Sequence, residues 1–262
     1  MQIGNKVAIV TGAGSPGCGR AIALHLSGRG ASVVVSDVQQ DGAAETLRRI
    51  KLSGGNATMF NADVRRETEV RVLVEHAERT YGGLDILVNN ASAPYRPGEP
   101  LEGWRDTVET DLLGSMYATR FAIDAMQKRG GGAIVNMGST SALAHGRTKP
   151  GGSPSYDAAK AGIIRLTTML APLWEQARIR VNCLVPDWVA TEEVQAYVDS
   201  LTAEQREADG VPKKLTSLAE VGEAVERLVT DETLFGRVLV WWSGEEPRFI
   251  PWADPGYAAL EG

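Results

Sequence analysis

Short apolar runs rich in β-branched residues alternate with segments of helical periodicity along most of the chain, and no linker or low-complexity stretch interrupts them. Strands are predicted at 6–11, 31–37, 56–61, 84–88, 133–137 and 179–185. Helices are predicted at 20–26, 41–52 and 68–81, as two segments within 101–129 with the second starting at Asp111, and from Tyr156 to Trp174. Strands joined this way through helices run parallel, and their sheet must be covered on both faces. The expected class is therefore α/β, with ligand at the carboxyl ends of the strands.

A chain of 262 residues with 43% hydrophobic and 23% charged residues suits one soluble globular domain, residues 1–262. The net charge of -6, without a lysine or arginine cluster, argues against nucleic acid or an anionic membrane as partner, since both require a concentrated basic face. A small-molecule substrate is expected instead. The sequence enters its first strand directly after Met1-Gln2-Ile3-Gly4, and no apolar run reaches membrane-spanning length, so a cytoplasmic location is expected. Cys18 and Cys183 lack any CxxC or Cys/His spacing and are expected to be reduced. With only His25, His76 and His145 besides, no metal site is expected.

The first predicted strand ends in Gly12-Ala13-Gly14-Ser15-Pro16-Gly17-Cys18-Gly19, and a helix follows. Glycines let backbone approach a pyrophosphate closely, and the unpaired first-turn amides of the helix face its negative charge. A tight turn alone would also use such residues. The second strand supplies the discriminating feature: it ends in Asp37, eighteen residues after Gly19 and close to the ~20 expected of a ribose-binding acid. A carboxylate there accepts hydrogen bonds from ribose hydroxyls and repels a 2'-phosphate. NAD is therefore expected rather than NADP, and the glycine turn itself holds no basic residue.

Three further groups fall at strand ends or just beyond. Asn89-Asn90-Ala91-Ser92 follows the fourth strand, as a turn signal or as a stiffener of the sheet edge beneath a cofactor. Ser139 follows the fifth, where its hydroxyl either closes a turn or reaches a substrate. Ser155-Tyr156-Asp157-Ala158-Ala159-Lys160 places a phenol and an ammonium one helical turn apart on a common face. Free tyrosine ionises near pH ~10, and adjacent positive charge favours the phenolate, which suits such a phenol to proton exchange.

In order along residues 5–240, Thr11-Gly12 with Gly17 and Gly19, Asp63, Asn89-Asn90-Ala91, Ser139, and Tyr156 with Lys160 resemble the motifs of the short-chain dehydrogenase/reductase family, with Pro186 and Thr191 downstream. The resemblance implies a single-domain, Rossmann-type doubly wound sheet of about seven strands, the seventh near 237–240. It also implies hydride transfer between NAD(H) and a secondary alcohol or ketone. The implied cofactor-binding set is Gly12, Gly17, Gly19, Asp37, Asp63 with Val64 at the adenine, Asn89, Ala91, Tyr156, Lys160, Pro186 and Thr191. Ser139 and Tyr156 would act on the substrate oxygen, with Lys160 assisting.

The chain departs from the family pattern at several places. Four residues, including Pro16, separate Gly12 from Gly17 where the family has three. Asp111 stands where the family usually has an asparagine supporting a proton relay to the lysine, and completes the expected catalytic group. Asp187 replaces the glycine after Pro186, and Trp241-Trp242-Ser243-Gly244 replaces a glycine-rich strand end. A non-catalytic NAD-binding protein that kept the scaffold is the alternative these changes leave open.

Substrate choice is assigned to two regions. The segment between Ser139 and Tyr156 is longer than usual in the family, and its His145 either contacts substrate or lies in an exposed loop. Residues 187–214 occupy the family's lid position, with helical composition from Glu192 to Ala208. Trp188 and Tyr197 form an apolar wall or pack the lid onto the body. The C-terminal tail, 241–262, carries Trp241, Trp242, Phe249, Trp252 and Tyr257, and it is expected to fold over its own or a neighbouring subunit of a homo-oligomer, a dimer or tetramer.

Overall fold

The β-branched runs of the central strands form strands because both their faces are covered. In β1 (Val7–Thr11), Ala8 and Val10 point into one core while Val7 and Ile9 point into the other. The structure is a computed structural model and describes residues 1–95, 103–143 and 153–252. Among these, β1, β2 (Ser32–Asp37), β3 (Asn56–Asn61), β4 (Ile86–Asn89), β5 (Gly132–Met137), β6 (Ile179–Pro186), β7 (Val238–Trp241) and β8 (Arg248–Phe249) make one sheet. Its order is β3-β2-β1-β4-β5-β6-β7-β8.

Every pairing from β3 to β7 is parallel. The sequence led us to expect about seven strands, and the eighth corrects that number. Gly244, at φ +82°, reverses the chain after Trp242, and Phe249 pairs antiparallel with Leu239. A two-residue strand carries no periodic signal of its own.

Helices α1 (Cys18–Gly28), α2 (Gln40–Leu52), α3 (Glu67–Tyr81), α4 (Trp104–Thr107), α5 (Gly114–Lys128), α6 (Pro154–Met169), α7 (Leu173–Ala177), α8 (Glu192–Ser200), α9 (Ala203–Asp209) and α10 (Leu218–Thr230) complete the described architecture. Leu26 of α1, Ile50 of α2 and Val225 and Leu228 of α10 are buried on one face of the sheet. Leu73 and Val74 of α3, with Ala122 and Met126 of α5, are buried on the other, and Ile163 of α6 extends that layer over Cys183 and Val185.

Three helical expectations need adjustment. The helix predicted from Tyr156 to Trp174 is divided, since α6 ends at Met169 and α7 begins at Leu173. Pro172 between them lacks an N–H and disfavours helical backbone at Ala171. Asp111 does not open a helix but lies within a π-helical turn, Val108–Leu113, that joins α4 to α5. The segment from Glu192 to Ala208 is two helices, because Thr202 and Gln205 form a capping box that starts α9 afresh.

The chain winds outward on one side of β1 through β2 to β3, then crosses over to place β4 on the other side, so the direction of winding reverses between β1 and β4. A crevice therefore opens at the carboxyl ends of β1 and β4, where doubly wound sheets bind ligands. No helix among the described residues is long and apolar enough to cross a membrane.

Candidate active site

Gly12 turns the chain out of β1 at φ +64°, and a Cβ there would lie 2.6 Å from Ala91 Cα. A Cβ on Gly19 would collide with the Gly12 carbonyl oxygen. The turn is locked to the end of β4 by Asn90, whose amide donates to the carbonyls of Thr11 and Gly12, both at 3.0 Å. Thr11 Oγ1 in turn accepts from the N–H groups of Asn90 at 3.0 Å and Ala91 at 3.1 Å. Asn89 points inward instead and donates to Asn136 Oδ1 at 2.8 Å and Thr119 Oγ1 at 3.0 Å, while Asn136 donates to Thr167. The asparagine pair thus joins three neighbouring strands beneath the crevice.

The inserted residue of the glycine turn is displaced outward, with Ser15 and Pro16 both exposed, so the N–H that proline lacks falls at the rim. Gly17 faces open space, the nearest atom to a Cβ there being Thr191 Cγ2 at 3.7 Å. Gly17 also begins α1, whose first-turn N–H groups have no acceptor within the helix. Asp37, at the end of β2, is buried and accepts from Gly14 N–H at 2.7 Å and Gln39 N–H at 2.8 Å, one on each oxygen. Each oxygen keeps a second lone pair for a ligand hydroxyl.

Arg20 lies directly after this turn and was not singled out in the sequence. Its buried guanidinium folds beneath the loop and bonds to Gly14 O and, at 2.8 Å, Thr46 Oγ1. Burial lowers its pKa, and the two hydrogen bonds let the guanidinium brace the turn from below.

Asp63 follows β3, and Arg65 grips its carboxylate through Nε at 2.9 Å and a terminal nitrogen at 2.7 Å. Those hydrogen bonds hold the carboxyl below its ordinary pKa. Arg65 also reaches Asp106 of α4 at 3.2 Å. Val64 is buried and packs toward Gly114.

On α6, Tyr156 is half-buried and Lys160 is buried, with Nζ 5.3 Å from the centre of the Tyr156 ring. Lys160 donates to Met137 O at 3.1 Å, which ties this helix to the end of β5 two residues before Ser139. Nζ also lies 3.0 Å from Asp111 Oδ2. Burial opposes the lysine charge, but Asp111 and then Tyr156 more than offset it, and the pKa is raised. Asp111 further accepts from Ser92 Oγ at 2.6 Å and Ala93 N–H at 2.8 Å.

Ser139 Oγ is 3.0 Å from Ser141 Oγ and accepts from Ser141 N–H at 3.3 Å. When Ser141 supplies both protons, the Ser139 hydroxyl proton is available to a ligand. Pro186 ends β6, Asp187 accepts from Thr140 Oγ1 at 2.8 Å, and Thr191 caps α8 by accepting from Val194 N–H at 3.2 Å.

Aromatic side chains border the site. Tyr95 meets Tyr156 edge to face with centroids 5.4 Å apart, and Trp188 stacks on Tyr197 at 6.2 Å. Tyr197 OH donates to Asp209 at 2.6 Å, bridging α8 and α9. Tyr95 and Ser141 were missed as site builders, although their nearness to strand ends was a usable signal. The described tail packs on its own chain: Arg237 lies over both Phe249 at 4.9 Å and Trp252 at 5.0 Å. His145 and Tyr257 lie outside the described residues. Burial pushes the Cys18 thiol up to about 11 and the Cys183 thiol to about 12. No metal-holding group of His, Cys, Asp and Glu occurs among the described residues.

Residues 6–202 match the family model described as short chain dehydrogenase. The chain belongs to the short-chain dehydrogenase/reductase family, whose dehydrogenases use nicotinamide cofactors. It is 36% identical over 237 residues to a cis-4-hydroxycyclohexanecarboxylate dehydrogenase of Sinomonas cyclohexanicum, covering 88% of this chain and 91% of that one. It is 34% identical over 242 residues to a cyclohexanol dehydrogenase of Acinetobacter, covering 89% and 91%. A solved short-chain type dehydrogenase/reductase from Mycobacterium ulcerans has the same fold, with a TM-score of 0.83 at 24% identity over 95% of this chain and 94% of that one.

Proposed function

We propose that this protein is an NAD-dependent dehydrogenase of secondary alcohols, reversible toward the ketone, with Tyr156 as the proton-exchanging group. The observation that carries the reading is the Lys160 bond to Met137 O, which brings the helix of Tyr156 against the strand end that leads to Ser139. Residues of the crevice fit a dinucleotide. Gly12, Gly17 and Gly19 with the start of α1 would receive the pyrophosphate, Asp37 the adenosine ribose, and Asp63 and Val64 the adenine. Ala91, Tyr156, Lys160, Pro186 and Thr191 would border the nicotinamide half, with the Asn89 side chain in the layer beneath rather than facing it.

A bound nicotinamide supplies the hydride acceptor or donor. In oxidation Tyr156 takes the hydroxyl proton, and in reduction it returns one. Ser139 donates a hydrogen bond to the same substrate oxygen as negative charge grows there. Lys160, kept charged and in place by Asp111, steadies the negative charge on the phenolic oxygen when its proton is away.

Preference for NAD over NADP rests on Asp37. A 2'-phosphate would be pressed against a buried carboxylate, while Arg20 is already committed beneath the turn. Tyr95, Trp188 and Tyr197 favour a substrate with an apolar ring, and two relatives are named for cyclohexane-ring substrates. Helices α8 and α9, within 187–214, act as the lid. Two free thiols suit a cytoplasmic setting. Exposed Trp104, Met116 and Met169 support a homo-oligomer, measurable by light scattering.

The deciding experiment follows the near-ultraviolet absorbance of reduced nicotinamide with a panel of cyclic and acyclic secondary alcohols and ketones, using NAD and NADP in parallel. Turnover of ring substrates with NAD is expected. Tight NAD binding without turnover on any substrate would favour the non-catalytic alternative.

A further inference from the structure

We propose that Asp187 is a positioning residue that fixes the Ser139 hydroxyl relative to the substrate wall. It stands where the family pattern has a glycine, yet its backbone φ is not positive, so its conformation does not call for glycine. The side chain is engaged at both ends. Oδ1 accepts from Thr140 Oγ1 at 2.8 Å, and Oδ2 accepts from Ser243 N–H at 3.3 Å. Its own N–H donates to Trp241 O at 2.9 Å.

One carboxylate therefore joins the segment beyond β5, the end of β6 and the turn after β7. Thr140 is 2% exposed, and its neighbour along the chain is Ser139. The adjacent N–H of Gly138 donates to Leu184 O at 2.7 Å, which anchors the strand side of this segment to β6. On the far side of Ser139, the Thr140–Asp187 bond supplies a side-chain anchor, strengthened by the ionised acceptor. Trp188 follows Asp187, and its carbonyl accepts from Ser243 Oγ at 3.1 Å. Ser243, whose N–H bonds to Asp187, therefore also holds the backbone at Trp188. A glycine at 187 would leave a buried threonine hydroxyl without its acceptor and would release the segment that carries the donor.

The inference rests on the reading that Ser139 donates to the substrate oxygen, and the variants separate the two. Ser139→Ala is expected to lower kcat by about 100-fold. Thr140→Val, nearly equal in volume, and Asp187→Gly should each lower kcat by ~10-fold through a displaced Ser139, with NAD affinity by fluorescence titration unchanged. Thr140→Ser should restore turnover, and Thr140→Val should cost nothing further in the Ser139→Ala background, since no donor is left to misplace. Wild-type turnover in Thr140→Val beside a slow Ser139→Ala overturns the inference alone. An equal loss from Thr140→Val with and without Ser139 also overturns it, by showing a merely structural role. Normal turnover in Ser139→Ala overturns the reading of the site and the inference together.

Discussion

Asp111 and Lys160 form an ion pair of 3.0 Å in which neither side chain is more than 5% exposed. The family's asparagine at the first position is neutral, whereas here a carboxylate meets the ammonium directly. Two charges removed from water hold each other only while both are present. Asp111→Ala strands the ammonium and also deprives Ser92 and Ala93 N–H of their acceptor. A loss of about 3–5 kcal/mol in unfolding free energy is expected, read from urea denaturation at neutral pH. Asp111→Asn keeps an acceptor for Ala93 and should lose less.

The same pair sets a pH dependence of stability. The folded pKa of Lys160 is raised from the ordinary value of 10.5 despite the opposing effect of burial, because of Asp111. As pH climbs through the ordinary lysine range, the unfolded chain gives up this proton before the folded one does. Stability from the pair is thus complete below that range and is lost as pH rises through the folded pKa. Denaturant midpoints from neutral to strongly alkaline pH should fall in wild type, with a shallower fall in Asp111→Asn.

Removal of the phenolic oxygen separates chemistry from binding. Tyr156 is half-buried and its ring keeps two neighbours, Tyr95 and the Lys160 ammonium, that do not depend on the hydroxyl. Tyr156→Phe should therefore fold and bind NAD with near wild-type affinity by calorimetry, while turnover falls by at least ~100-fold. Near-normal rates on a good substrate would remove the basis for the enzymatic reading.

How far the sequence reached depends on the range of the interactions concerned. β3 was legible at its observed bounds, Asn56–Asn61, because strand periodicity is local. Tyr156 and Lys160 were legible as a pair because one helical turn fixes their spacing. The break at Pro172 was present in the sequence and was passed over. Arg20 beneath Gly14, Tyr95 against Tyr156, and Asp187 bonded to Thr140 could not be read, since each pairing is created by the crossing of chain segments rather than by spacing along one. Asn89 and Asn90 read as equivalent neighbours, but successive residues at a strand end point to opposite sides, so one entered the core and the other took hold of the glycine turn.

Gly12 and Gly17 belong to the same motif but should respond differently to a methyl group. Gly12→Ala demands φ +64° of an L-residue and drives a Cβ to 2.6 Å from the backbone at Ala91, where no flexible side chain can yield. Unfolding of this variant should become easier by roughly 2 kcal/mol or more, visible as a lowered thermal midpoint without any ligand. Gly17→Ala meets nothing closer than 3.7 Å, and that neighbour is the methyl end of Thr191. Its thermal midpoint should stay close to wild type. The space its methyl would fill is the approach to the first-turn amides of α1, so NAD affinity should fall by about tenfold or more, measured by titration of tryptophan fluorescence. Undiminished affinity in a well-folded Gly17→Ala protein would place the pyrophosphate somewhere other than the start of α1.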